Sequence, residues 1–289
     1  MVHMADQTAF TKGHGTENDF VLVPDLEGVL EITAEQAARL ADRHAGIGSD
    51  GVIRVVPTAS ATDPAVAAQA AEAHWFMDYR NADGGLAEMC GNGTRVFAAY
   101  LRREGLETAD EFTIATRAGL KRVRFEGDLI AVNLGPWRLG QPQIADAEGF
   151  DALVHVDGHE PLSALSLDLG NPHSVVALPE DIDLEALDLH RAPMVNPIPE
   201  RGTNVEFVRP LGPGHLRMRV HERGVGETRS CGTGAAAAAL ATRFWAGARQ
   251  DTWTVDVPGG RLRVRALPGQ EVELAGPAVL VADGVTALL

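Results

Sequence analysis

The sequence predicts an α+β fold of two similar domains, each a wrapped, mostly antiparallel β-sheet around a central helix. Three observations predict it. Short strand-like runs far outnumber helix-like ones, which argues against repeated βαβ units. The two cysteines, Cys90 and Cys231, open the same local unit 141 residues apart, close to half the chain. The length of 289 residues exceeds the common size of one domain and suffices for two cores.

The elements follow in order. Residues 20–23 are apolar and are stopped by Pro24, which reads as a strand. Residues 33–44 read as a helix, because Thr33 followed by Gln36 forms a capping box. Residues 52–56 and 74–81 read as strands, and the Ala-rich stretch 57–73 between them shows no assignable period. A helix over 95–102 follows Cys90. Phe125-Glu126-Gly127-Asp128-Leu129 has the composition of a hairpin turn. The Pro- and Gly-containing segment 135–149 is the expected linker. Strands are expected at 154–156, 165–169, 175–178 and 204–208. Residues 216–221 alternate cleanly, with Leu216, Met218 and Val220 on one face and Arg217 and Arg219 on the other. A second helix over 235–245 follows Cys231. Strands at 253–257, 261–265 and 272–274 end the pattern, with Pro258-Gly259-Gly260 as a turn.

Composition excludes several classes. With 25 basic and 40 acidic side chains the chain carries −15, a field that repels nucleic acid and anionic membranes. No run of 18 apolar residues exists and Met1 to Phe10 has no hydrophobic core of a leader, so a cytoplasmic protein is expected. Met1-Val2-His3-Met4 has the look of an addition and carries no part of the argument. Two cysteines are too few for a disulfide framework or for a zinc site of three or four thiolates. His155 and His159 are four apart, but Asp157-Gly158 between them reads as a turn, so no metal is expected. The only lysines are Lys12 and Lys121, and neither sits in a context suited to a pyridoxal Schiff base.

The paired units carry the chemistry. Met89-Cys90-Gly91-Asn92-Gly93-Thr94 and Ser230-Cys231-Gly232-Thr233-Gly234 both place Cys-Gly-x-Gly at the start of a helix. Asn81 and Glu222, which end the preceding strands, each lie nine residues before their cysteine. Glycines there expose backbone N–H groups where the helix dipole favours anions, so a carboxylate binds well and a thiol is acidified. Ala235 to Ala239 give the second helix a small face, suited to the middle of a sheet. Bringing the halves together about a pseudo-twofold axis would set two thiols across a cleft. A disulfide suits that arrangement. So does a two-base racemase or epimerase, in which a thiolate removes a proton and a thiol returns one to the other face. The helix N–H groups would then hold the carboxylate and the charge developing beside it, and no cofactor is needed.

The motifs resemble the diaminopimelate epimerase family along essentially the whole chain. They run from Lys12-Gly13-His14-Gly15-Thr16-Glu17-Asn18-Asp19-Phe20-Val21 and Gly46-Ile47-Gly48-Ser49-Asp50-Gly51 to Asn81-Ala82-Asp83-Gly84. Cys90-Gly91-Asn92-Gly93, Gly170-Asn171-Pro172-His173 and the segment from Glu222-Arg223-Gly224 to Cys231-Gly232-Thr233-Gly234 complete them. The resemblance implies an isomerase that converts LL-2,6-diaminopimelate to the meso form in lysine and peptidoglycan precursor biosynthesis. It implies Cys90 and Cys231 as acid/base thiols and Gly91, Asn92, Gly232 and Thr233 as holders of the reacting carboxylate. It further implies Asn18, Asn81, Asn171, Asn204 and Arg223 as substrate-binding groups, Glu222 as a residue that contacts the amino group or tunes the site, and His173 as a modulator. An Arg suits a distal carboxylate because its planar fork engages both oxygens.

One position departs from the family. Gly51 stands where some members carry a Gln that binds substrate. The resemblance also implies a homodimer, cleft closure on substrate, and domains of residues 1–134 plus 276–289 and of 135–275, the last strand returning to the first domain. Two rival readings remain at this point. A proline or hydroxyproline epimerase shares the Cys-Gly-x-Gly pair, although Asn18, Asn204 and Arg223 speak for a substrate with a second amino-acid end. A non-catalytic thiol-disulfide switch is the other. Phenazine-biosynthesis-like isomerases share the duplicated architecture without this cysteine pair.

Overall fold

Phe20, Val21, Leu22 and Val23 are all fully buried, as an unalternating apolar run requires when a strand is covered on both faces. They lie in the second strand of a computed structural model that describes residues 7–289; the reading of Met1-Val2-His3-Met4 lies outside the described residues. Strands β1 (Thr8–Gly15) and β2 (Asn18–Pro24) form a hairpin. Helix α1 (Ala34–Ala41) carries the expected capping box of Thr33 and Gln36. Strand β3 (Gly51–Pro57) runs parallel to β2, and β4 (Trp75–Asn81) antiparallel to β3. The unassigned stretch between them is two 3-10 turns around one helical turn, α2 (Pro64–Ala67), too short for any periodicity to show. Helix α3 (Gly91–Arg103) sets Val96, Phe97 and Leu101 against Phe20, Leu22, Ile53 and Met77, while Leu40 of α1 covers the other side with Val21 and Val23. A meander of β5 (Glu111–Ile114), β6 (Lys121–Glu126) and β7 (Leu129–Pro136) turns at Gly127 as its composition predicts.

The segment 135–149 is not a bare linker. It contains β8 (Arg138–Leu139) and helix α4 (Pro142–Glu148). Pro142 at the first turn and left-handed Gly149 at the C-cap are the start and stop signals of a helix, and they outrank the loop composition read from the same residues. The strands β9 (Ala152–His155), β10 (Leu162–Asp168), β11 (Pro172–Ala177), β12 (Met194–Asn196), β13 (Asn204–Gly212), β14 (His215–Glu222) and β15 (Gly226–Thr228) precede helix α5 (Gly232–Trp245). Strands β16 (Thr252–Val257), β17 (Gly260–Leu267) and β18 (Glu271–Gly276) follow. The spatial order is β12-β9-β10-β11-β13-β14-β16-β17-β18. Pairing is antiparallel except β11 with β13 and β14 with β16. Residues 235–241 of α5 are almost wholly buried, with sheet strands from β10 to β17 packed around the helix. A helix enclosed by a curled sheet has room only for small side chains, which is why this one is alanine.

Strand β19 (Val279–Thr286) pairs with β1, so the first sheet reads β19-β1-β2-β3-β4. The chain thus divides into two compact units: the first runs up to Val132 and resumes at Gly276–Leu289, the second is Asn133–Ala275. Among the described residues no helix is long and apolar enough to cross a membrane.

Candidate active site

Strand register exposes the duplication at the level of single residues. In the first unit Phe20 pairs with Gly51 across the parallel β2–β3 pair; in the second His173 pairs with Asn204 across the parallel β11–β13 pair. Asn18 and Asn171 each lie two residues before the first of these, and Ile53 and Glu206 two residues beyond the second. Asn81 and Glu222 end the next strand, β4 or β14, and the capping cysteine follows.

Each cysteine is the N-cap of its helix. Cys90 Sγ accepts from the Gly93 amide at 3.5 Å and Cys231 Sγ from the Gly234 amide at 3.3 Å. Both are free thiols. The next amides, of Gly91 and Asn92 and of Gly232 and Thr233, occupy the first two helical positions, where no intrahelical acceptor exists. The second glycine of each unit has a steric reason. A Cβ at Gly93 would lie 2.8 Å from Met77 Cε, and one at Gly234 would lie 2.8 Å from Glu206 Oε1 and 3.2 Å from Cys231 Sγ.

In the first unit Asn18 Oδ1 accepts from Asn92 Nδ2 at 3.1 Å and from the Cys90 thiol at 3.6 Å. Asp50 Oδ2 accepts from Asn18 Nδ2 at 2.7 Å and thereby fixes which end of the amide faces the thiol. Asp50 and Asp19 share Arg43, at 2.7 Å each, and Lys12 closes on Asp19 at 2.5 Å. Burial pushes the Asp19 carboxyl up, but its bonds from Arg43 and Lys12 outweigh that and bring it down to about 2. Asn18 itself follows a two-residue turn in which Thr16 and Glu17 are both left-handed, at φ 51° and 63°, a conformation that costs a β-branched residue energy. Arg95 Nη2 donates to the Thr16 hydroxyl at 3.2 Å and Nε to Pro277 O at 3.3 Å. Arg95 is fully buried, and its Nη1 has no hydrogen-bond partner among the described residues. Burial lowers its pKa to about 10, against the opposing pull of Cys90. Asn81 is exposed at the strand end. Gly51, where the family Gln would stand, has no space for a side chain: a Cβ would meet Tyr79 Cε2 at 2.5 Å and Arg80 O at 2.6 Å.

In the second unit Asn171 Nδ2 donates to Thr233 Oγ1 at 3.2 Å, the counterpart of the Asn18–Asn92 contact, and Thr233 Oγ1 lies 3.6 Å from Cys231 Sγ. His173 Nε2 is 3.1 Å from Asn171 Oδ1, and His173 Nδ1 is 2.7 Å from Glu206 Oε1. The Arg223 amide donates to Asn204 Oδ1 at 2.9 Å, while Asn204 Nδ2 donates to Pro172 O at 3.3 Å. The exposed Arg223 guanidinium bonds Arg201 O at 2.6 Å. Glu222 accepts from Thr228 Oγ1 and from the Cys231 thiol. Burial raises the Glu222 and Glu206 carboxyls. Burial, with the Glu222 and Glu206 charges, pushes the Cys231 thiol well up.

Every residue expected from the sequence is therefore at, or beside, one of two capped helix starts or a strand end leading to it: Asn18, Asn81, Cys90, Gly91 and Asn92 in the first unit, and Asn171, His173, Asn204, Glu222, Arg223, Cys231, Gly232 and Thr233 in the second. Three groups were not expected. Glu206 sits in the run 204–208, where its signal is a single acid among Val205, Phe207 and Val208. Arg95 is hidden in a helix with other arginines. Asp50 lies in a quoted motif but reveals its task only through Asn18.

The duplicated α+β fold defines a class with known members. A phenazine biosynthesis protein of the PhzF family from Bacillus anthracis has this fold, with TM-score 0.67 and 17% identity, covering 97% of this chain and 99% of that one. A hydroxyproline epimerase from Agrobacterium vitis matches with TM-score 0.65 and 15% identity, covering 97% and 91%. The particular family follows from sequence. The diaminopimelate epimerase profile matches residues 10–139 and 165–281. The diaminopimelate epimerase of Streptomyces coelicolor is 48% identical, covering 97% of this chain and 96% of that protein, and that of Thermobifida fusca is 48% identical, covering 95% and 96%. The chain belongs to the diaminopimelate epimerase family.

Proposed function

We propose that the chain epimerises LL-2,6-diaminopimelate to meso-diaminopimelate by two thiols and without a cofactor, in lysine and peptidoglycan precursor biosynthesis. The observation that carries the reading is the thiol N-cap that occurs once in each unit, beside the same Asn-to-helix contact. An α-carbon acid is weak, so the carbanion needs its carboxylate held by fixed donors. The first amides of α3 and α5, at Gly91, Asn92, Gly232 and Thr233, are such donors and require no reorganisation as charge develops. Cys90, near the buried Arg95 guanidinium, takes the proton. Cys231, held as a thiol by burial and by Glu222 and Glu206, returns one to the opposite face. The reverse reaction exchanges the roles. Arg223, Asn18, Asn81, Asn171 and Asn204 grip the substrate, Arg223 taking the distal carboxylate. Glu222 contacts the amino group or tunes the site, and His173 modulates it. We further infer a cytoplasmic homodimer, whose mass light scattering reads directly.

The test is incubation of reduced protein with LL-diaminopimelate in heavy water. Deuterium should enter one α-carbon, and Cys90→Ala or Cys231→Ala should abolish turnover. Folded, reduced protein that incorporates no deuterium would overturn the reading. A panel including proline and hydroxyproline should show no exchange.

A further inference from the structure

The duplication makes one difference between the halves informative. Below α3, the positions two steps apart on the paired strands are Phe20 and Ile53, both fully buried and apolar. Below α5 the corresponding positions are His173 and Glu206, at 1% and 0% exposure. The fold is therefore satisfied by two hydrocarbons there, and burying an acid with an imidazole instead is costly unless it serves something. Glu206 Oε2 has no hydrogen-bond partner among the described residues, so the pair is not a saturated structural ion pair either.

From this pair an unbroken line of contacts runs to the sulfur: Glu206 to His173 at 2.7 Å, His173 to Asn171 at 3.1 Å, Asn171 to Thr233 at 3.2 Å and Thr233 to Cys231 at 3.6 Å. Hydrogen-bond polarity along it has two consistent settings. With a proton shared by Glu206 and His173 in addition to the one on His173 Nε2, Nε2–H donates to Asn171 Oδ1. Asn171 Nδ2–H then donates to Thr233 Oγ1, which leaves the Thr233 hydroxyl proton for a Cys231 thiolate. Without the shared proton, His173 Nδ1–H donates to the Glu206 carboxylate and Nε2 accepts. The Asn171 amide turns over to donate to Nε2 with Nδ2, its Oδ1 takes the Thr233 proton, and Cys231 keeps its own. The two settings hold the same number of protons, because the one gained by the pair equals the one lost by the sulfur.

We propose that Glu206 is a positioning residue: through His173 and Asn171 it decides whether the Thr233 hydroxyl gives its proton to Cys231 or withholds it. Thiolate formation at Cys231 then proceeds without adding net charge to the buried region. The inference rests on the reading of Cys231 as an acid/base thiol, which must form a thiolate when the reaction reverses. The other ionisable group facing the sulfur is Glu222 on β14, itself acted on by Glu206 and His173; it accepts from the thiol in the second setting and opposes the thiolate of the first.

The test is ultraviolet titration of the thiolate in a Cys90→Ser background, where Cys231 is the one remaining thiol. The parent should titrate in two steps, since the pair and the thiol share protons. Glu206→Gln has no titratable proton to share with His173 and can donate to His173 Nδ1 through its amide N–H, as the first setting requires. It should give a single step, with its midpoint at least about one pH unit below the parent's upper step. Adding Thr233→Val should raise that midpoint in the Glu206→Gln background and leave the parent's upper step, where the pair has lost its shared proton, little changed. An unaltered profile in Glu206→Gln overturns the proposal, as does an equal effect of Thr233→Val in both backgrounds, which would mean that Glu206 acts by charge alone. If Glu206→Gln does not fold, the His173→Phe/Glu206→Ile pair borrowed from the first unit serves: it should lose the two-step form, and retention of two steps overturns the relay. Failure here with heavy-water exchange intact leaves the epimerase reading standing, because the titration needs no turnover.

Discussion

At the scale of single residues, the two glycines that follow the cysteines are excluded from carrying side chains by different neighbours. Gly93 faces Met77, Phe20 and Ile53, whereas Gly234 faces Glu206 and the sulfur of Cys231 itself. Gly93→Ala gains about 1 kcal/mol of helix propensity, but forcing a methyl into packed side chains costs about 1–3 kcal/mol. Overpacking should win, with a net loss on the order of 1 kcal/mol read as a lower denaturation midpoint at unchanged slope. Residue identity was readable where chemistry comes in a pattern: both cysteines, the helix-start residues and the asparagines that precede strands all stand out in the sequence. Glu206 did not, because an isolated acid in an apolar strand looks the same whether it faces solvent or a neighbouring strand. The packing of α5 over β13, which sets Gly234 against Glu206, is what buries it.

At the scale of elements, the turn and strands around Asn18 are held by charge. Asp19 in β2, 17% exposed, ties β1 through Lys12 and the loop after α1 through Arg43. Its folded-state pKa of about 2 lies below the ordinary carboxyl value of 3.8. The carboxylate therefore contributes stability that is complete above the unfolded value and is lost as pH falls through the folded one. Asp19→Asn should cost on the order of 2 kcal/mol near neutral pH, and the difference from the parent should shrink between about pH 5 and about pH 3, measured by urea unfolding across that range. The capped helix α1 and the two cysteine-capped helices were legible, since caps are local signals. The stretch 57–73 was not, because turns of three or four residues have no period. Segment 135–149 was misread because Pro and Gly signal both loops and helix ends.

At the scale of the whole molecule, duplication was legible from the two cysteines, and the mixture of strands with few helices from patterning. The dependence of the first unit on residues 276–289 is a matter of pairing, which no local pattern contains. Those residues supply the partner of β1, the Pro277 carbonyl for Arg95, and Asp283 for Thr11 and Arg103 at 2.6 and 2.8 Å. Deleting everything after Ala275 should remove hydrogen-exchange protection from β1 and α3 while β13, β14 and α5 retain theirs. Equal protection in both regions would show that β19 is dispensable.

The return of β19 also orders events on the ribosome. Synthesis delivers β1 to β4 and the Cys90 helix first, yet the strand that completes their sheet emerges after the entire second unit. The unit made later, being continuous in sequence, has all its strands available sooner. During the interval β1 lacks its β19 partner, and an open strand edge invites pairing with neighbouring nascent chains.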